Sequence, residues 1–165
     1  MHRFRADCSR CCGLCCVVPA FLAVQGFGAD KPANSACAHL TQKGRCAIYA
    51  ERAAAGYTSC AGFDCFGAGQ WITQDLFGGA RWSDSPEIGE LMFAAYRFWA
   101  PRFEAAAMLS ASLALVRDDA RALIDARIDL LTCVDAANSA EHASASRLRR
   151  DTLALIRSAI SLKEE

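Results

Sequence analysis

The sequence has no surplus of either charge and no long apolar run. Its 165 residues carry 18 Lys and Arg against 18 Asp and Glu, so a broad electrostatic attraction to nucleic acid is missing. No segment approaches the ~18 apolar residues that a membrane span needs. The opening MHRFRADCSR also lacks the apolar core of a secretory signal. We therefore expect a cytoplasmic protein with neither a nucleic-acid partner nor a membrane partner.

Cysteine and glycine are scarce in the second half of the chain. Residues 83–165 hold one of each, whereas residues 1–80 hold nine of the ten cysteines and ten of the eleven glycines. At 53% hydrophobic and 22% charged residues, the whole chain has the composition of a folded protein. The shift predicts two parts: a cysteine-rich metal-binding module over residues 1–80 and a helical segment over residues 81–165.

Apolar residues in the second half recur with a helical period. A first helix is predicted after Ser83, Asp84 or Ser85, with Pro86 in its first turn, and Pro101 is expected to kink it or divide it in two. A second helix begins near Asp118, residues 138–144 form a loop, and a last helix follows. The residues predicted to face inward are Ile88, Leu91, Met92, Ala95, Phe98 and Trp99, then Phe103, Ala106, Leu109, Leu113 and Val116, then Ala120, Leu123, Ile124, Ile128, Leu131 and Val134, and finally Leu148, Thr152, Leu155, Ile156, Ala159 and Leu162.

The first half shows weak periodicity, and Gly and Pro interrupt it often. Such a segment buries little apolar surface for its length and needs a staple to hold one shape. The predicted fold is therefore mainly α: a small, irregular, cysteine-rich and metal-bound N-terminal module packed on a C-terminal bundle of three to four helices.

The stretch CSRCCGLCC places five cysteines in nine residues. In a reducing compartment, clustered thiols more often hold metal or do chemistry than form disulfides. Ligands a few residues apart supply half of a four-sulfur site with little loop entropy lost, and a distant pair completes it. Spacing alone leaves open whether the cysteines build two such sites or one dinuclear centre. The predicted metal ligands are Cys8, Cys11, Cys15, Cys16, Cys37, Cys46, Cys60 and Cys65.

A rival geometry places Cys8, Cys11, Cys12 and Cys15 on one face of a helix, which would suit Cu(I). The later cysteines do not keep that period, so copper is less favoured. Cys133 lies near an apolar helical stripe and is predicted to be inert core.

These motifs resemble a known family. The opening C-x2-C-x3-C-C, the CAHL from Cys37, the GRCAIYAER from Gly44 and the later Cys60 are similar to the YkgJ-like family of zinc- or iron-chelating cysteine-cluster proteins. The stretch through GYTSCAGFDCFGAGQ is also similar to the leading region of actinobacterial proteins in which pentapeptide repeats often follow. The resemblance implicates the same eight cysteines as metal ligands. Cys12 stands where the relatives tend to have another residue, so it is either an extra ligand or a bystander.

Three functions follow from these features. The leading one is a cytosolic protein that holds zinc or iron through cysteine thiolates. If the metal is structural, the helical half is expected to bind a protein partner. The second is an iron–sulfur or metal-dependent enzyme or redox sensor, and the third is Cu(I) storage or delivery. His39 is a candidate for replacing one sulfur. Catalytic residues cannot be assigned, since no nucleophile and base pattern stands out.

Overall fold

The computed structural model describes residues 4–133 and 144–161, and its regular structure is helical. Within those residues, extended pairing is confined to two isolated bridges, Phe21 with Lys31 and Leu40 with Cys46. The mainly α fold with an irregular cysteine-rich N-terminal region is confirmed. The α-helices are α1 Thr58–Gly62, α2 Ala68–Trp71, α3 Pro86–Ser112, α4 Asp118–Thr132 and α5 Ala145–Ser161; α2 continues as a π-helical turn over Ile72–Leu76, and single 3₁₀ turns lie at Cys8–Arg10, Leu14–Cys16 and Ala23–Gln25.

The chain divides into two compact units inside α3, between Arg97 and Phe98. The first unit holds the cysteine-rich region and the beginning of α3. The second holds the rest of α3 together with α4 and α5. None of the helices in the described part of the chain is long and apolar enough to cross a membrane.

The long helices begin where the sequence predicts. Ser85 caps α3, because its Oγ accepts the Ile88 N–H at 3.2 Å, and α4 begins at Asp118. At α5 the Ser144 Oγ accepts the Arg147 N–H at 3.2 Å. Each cap satisfies a backbone donor that has no partner within its own helix.

Pro101 lies inside α3 without dividing it, so the alternative of two helices is wrong. A proline in a helix interior costs about 3 kcal/mol or more. Trp99 and Phe103 are buried on either side of it, each 3% exposed, and burying one such side chain contributes ~1.5–3 kcal/mol. This packing offsets the lost hydrogen bond and keeps the helix continuous.

The inward-facing stripes are largely as predicted, with two corrections. Leu91 is 61% exposed and Leu123 is 60% exposed, although both were expected inside. On α3 the buried face is rotated by about one residue, so Phe93 and Tyr96 are buried instead. Val134, Leu162 and the predicted loop from residue 138 to 143 lie outside the described residues. The buried members of the stripes are Met92, Trp99, Phe103, Ala106, Leu109, Val116, Ile124, Ile128, Leu131, Leu148, Thr152 and Ala159.

The cysteine-rich region has a small apolar core, and beside it Lys31 binds four backbone carbonyls in an arrangement that we call the Lys31 clamp. Leu14, Val17, Val18, Phe21 and Ile72 are at most 3% exposed. The buried Lys31 ammonium shares its three N–H groups among four backbone carbonyls and lies 4.6 Å from the Phe21 ring centroid. Its hydrogen bonds are to the carbonyls of Val17 at 2.9 Å, Pro19 at 2.7 Å, Pro32 at 3.0 Å and Ser35 at 2.8 Å.

Candidate metal centre

A cavity of about 420 Å³ lies in the first unit. It is bordered by three stretches of chain, residues 8–16, 37–46 and 60–65, with Gly69, Gln70 and Tyr96 among the other lining residues. All eight cysteines predicted to be metal ligands border it. They are Cys8, Cys11, Cys15, Cys16, Cys37, Cys46, Cys60 and Cys65.

The first stretch is fixed by short local bonds and by α2. Asp7 caps the turn that carries Cys8, since its Oδ1 accepts the Ser9 N–H at 2.8 Å. The Gln70 side chain on α2 accepts the Asp7 N–H and donates to the Arg5 carbonyl at 3.0 Å. One helical side chain thus holds the backbone just before the first thiol.

The second stretch is a tight reversal between Cys37 and Cys46. Leu40 pairs with Cys46 as an isolated bridge, and the Thr41 N–H donates to the Arg45 carbonyl at 2.8 Å. The Cys37 N–H donates to the Cys16 carbonyl at 2.9 Å, which fastens this reversal to the first stretch. The thiols of Cys16, Cys37 and Cys46 therefore border the same cavity.

The third stretch carries Cys60 on α1 and Cys65 beyond it. The Arg52 guanidinium donates to the Cys60 carbonyl at 2.8 Å and lies 3.9 Å from the Tyr49 ring centroid. The Asp64 side chain makes a local hydrogen bond, in which its Oδ1 accepts the Phe66 N–H at 2.7 Å. These contacts fix the backbone and leave both sulfurs on the cavity.

Gly69 on α2 allows two sulfurs to approach the helix backbone. A Cβ built on Gly69 would lie 2.8 Å from the Cys11 Sγ and 3.8 Å from the Cys65 Sγ. Real Cβ atoms essentially never have neighbours closer than 3.0 Å. The absence of a side chain here is therefore what admits the Cys11 thiol to its position.

The sulfurs of Cys15 and Cys16 lie 3.9 Å apart. Two ligands of a tetrahedral ion with ~2.3 Å metal–sulfur bonds stand about 3.8 Å apart. This vicinal pair already has the separation of two ligands on one ion. In the protonated state, the same separation fits a hydrogen bond from the Cys15 thiol to the Cys16 sulfur.

The environment of the cavity shifts most of its thiol pKa values upward. Burial raises the pKa of Cys11 to about 11 and is the main cause of the raised pKa values of Cys8, Cys46 and Cys60. The hydrogen bond that Cys15 gives to Cys16 raises the pKa of the donor and, with support from the charges of Lys31 and Arg52, lowers the pKa of the acceptor. Cys16 is the thiol whose ionisation the cavity favours.

The donor side chains surround the cavity rather than converge on one point. Across residues 4–133 and 144–161, no three Cys, His, Asp or Glu side chains stand close enough together to hold one ion. The donor set and the vicinal spacing fit a thiophilic metal, whereas a third and fourth sulfur must move inward to complete a site.

Cys12 is not part of the cavity lining. It is 1% exposed, its N–H donates to the Thr73 Oγ1 at 3.3 Å, and its Sγ lies 3.4 Å from that same oxygen. The Thr73 hydroxyl also donates to the Gly69 carbonyl at 2.8 Å. Cys12 therefore packs the loop against α2 as a small buried residue.

Two predictions about the cysteines are wrong, the buried position of Cys133 and the thiol-lined helix. Cys133 is exposed rather than buried in the core, because it follows the last residue of α4, where the helical stripe ends. The thiol-lined helix proposed for Cu(I) is not formed. Cys8 and Cys15 lie in two separate 3₁₀ turns, Cys8–Arg10 and Leu14–Cys16, and Cys11 and Cys12 lie between those turns. Gly13, also between the turns, adopts a φ of +84° that a right-handed helix cannot contain.

Several lining residues were undervalued or missed from the sequence. His39 borders the cavity and packs edge-on against Tyr57, which also borders it, with ring centroids 5.2 Å apart. Tyr96 was missed entirely, because it lies one position from the predicted stripe of α3. Its hydroxyl is buried and has no hydrogen-bond partner among the described residues.

No protein-family model matches the chain, and no solved structure matches it significantly. A Bacillus subtilis (strain 168) protein named "Uncharacterized protein YybG" is 36% identical over 88 residues. The match spans 53% of this chain and 32% of that protein, so the chain covers about a third of the relative's length.

Proposed function

We propose that this chain is a metal-binding protein that holds zinc or iron in the thiol-lined cavity, and that it belongs to the YkgJ-like family it resembles. One observation carries the proposal: eight cysteines from three separate stretches of chain border one cavity. The family assignment is supported by the cysteine motifs themselves.

The setting of these thiols argues against a packing role. Cys12 illustrates what a packing cysteine looks like here, since it is 1% exposed and lies away from the cavity. Apart from the exposed Cys8, the cavity cysteines are partly exposed. Soft thiolate donors select zinc, iron–sulfur centres or Cu(I) over hard cations, and a tetrahedral ion with ~2.3 Å bonds fills only a small part of the cavity.

Residues around the cavity favour metal binding before any metal is present, through sulfur spacing and through charge. The Cys15–Cys16 pair has ligand spacing, and the hydrogen bond between the two thiols lowers the pKa of Cys16. The charges of Lys31 and Arg52 favour the thiolate that results. Bound metal would supply cross-links between the three stretches, so that metal-binding free energy becomes folding free energy.

A zinc titration against a chromophoric chelator tests the proposal. Cys46→Ser removes one donor from the reversal over residues 37–46, and Cys133→Ser removes an exposed thiol at the end of α4. We expect the first variant to lose at least about tenfold in zinc affinity and the second to match the wild type. Equal affinities for wild type and Cys46→Ser would overturn the ligand assignment, and a wild type that takes up no zinc or iron would overturn the function.

A further inference from the structure

Tyr96 borders the cavity and has a buried hydroxyl with no hydrogen-bond partner among the described residues. Its side chain is 6% exposed. A phenol ordinarily has a pKa of about 10, and burial raises the pKa of Tyr96 further. The hydroxyl is therefore protonated at neutral pH and is a hydrogen-bond donor.

An unsatisfied buried hydroxyl is costly. It loses its hydrogen bonds to water and gains none in return, a penalty of about 1–3 kcal/mol. A phenylalanine at the same position would fill the same space without that penalty. Buried phenols normally have a hydrogen-bond partner. We therefore expect the Tyr96 hydroxyl to find an acceptor in a state of the protein other than the metal-free one.

Protonated thiols are weak acceptors, but metal-bound thiolates accept hydrogen bonds well. We propose that the Tyr96 hydroxyl is a positioning group of the metal site, and that it donates a hydrogen bond to a cysteine thiolate once the cavity is loaded. This inference rests on the proposed function. It makes the hydroxyl unfavourable in the metal-free protein and favourable in the loaded one.

The opposite signs give a direct test with Tyr96→Phe, which removes only the oxygen. In the metal-free protein we expect its Tm to rise by about 2–4 °C, since a penalty of roughly 1 kcal/mol is relieved. In a zinc titration against a chromophoric chelator, we expect its affinity to fall about tenfold, as removal of a bond to a metal ligand typically does. The control is Ser158→Ala, which removes an exposed hydroxyl on α5 outside the cavity lining, and it should leave the zinc affinity unchanged.

The outcomes are distinguishable. If wild type and Tyr96→Phe bind zinc equally, the inference is wrong and the proposed metal function stands. If Tyr96→Phe is less stable than wild type, or fails to fold, without metal, the hydroxyl already has a partner and the inference is also wrong. If the wild type binds neither zinc nor iron, both the function and the inference fail.

Discussion

Adding one methyl group at Gly69 probes how tightly the sulfurs are packed against α2. Gly69 is helical, so alanine fits its backbone, and the gain in helix propensity alone would be about 0.5–1 kcal/mol. The new Cβ would, however, lie 2.8 Å from the Cys11 Sγ, closer than real Cβ atoms come to any neighbour. The thiol must move by a few tenths of an ångström or more, and overpacking of this kind costs about 1–3 kcal/mol.

We therefore expect Gly69→Ala to lower the free energy of unfolding by about 1 kcal/mol net, measured by urea denaturation of the metal-free protein. Gly62→Ala is the control, because Gly62 also lies in a short helix and an added Cβ there meets nothing within 4 Å. It should be neutral or stabilise by up to about 1 kcal/mol. If Gly69→Ala were as stable as Gly62→Ala, the described position of the Cys11 thiol would be wrong.

Two further predictions concern stability. Lys31→Met removes the hydrogen-bond donor of four carbonyls, one in a buried bond and three in partly buried bonds, and should lower the free energy of unfolding by about 3 kcal/mol in urea denaturation. Lys43→Met, at an exposed residue, should stay within about 0.5 kcal/mol of wild type, and equal effects of the two substitutions would refute the role given to Lys31. The metal-free protein should lose stability between about pH 9 and 11, because folded Cys11, with its pKa raised by burial to about 11, keeps a proton that the unfolded chain has released. Cys11→Ala should flatten this fall by about 2 kcal/mol, and an unchanged slope would show that Cys11 does not cause it.

The sequence predicted the helices well because their signals are local. Ser85 as a cap and Asp118 as a helix start depend on residues within one turn, and the structure has both. The choice of buried face is less local. Leu91 and Tyr96 lie about 140° apart around the axis of α3, and only the packing partners decide which one is covered.

The sequence singled out the eight cysteines that border one cavity; that they bind metal stays a prediction, and the contacts that distinguish individual cysteines could not be predicted. Cys12 differs from its neighbours through Thr73, which lies 61 residues away in the chain. The Lys31 clamp depends on carbonyls that face it only once the loop from Val17 to Ser35 has folded. The spacing of residues along the chain does not predict such long-range contacts.

The most direct measurement is the zinc and iron content of protein purified without oxygen, taken together with its visible absorption and a count of reduced thiols. With four thiolates per tetrahedral ion, the eight cavity cysteines predict up to about two ions per chain. Colourless protein would then carry zinc, and coloured protein would carry iron. Folded protein with all eight thiols reduced, no bound metal and no uptake of added zinc or iron would contradict the account.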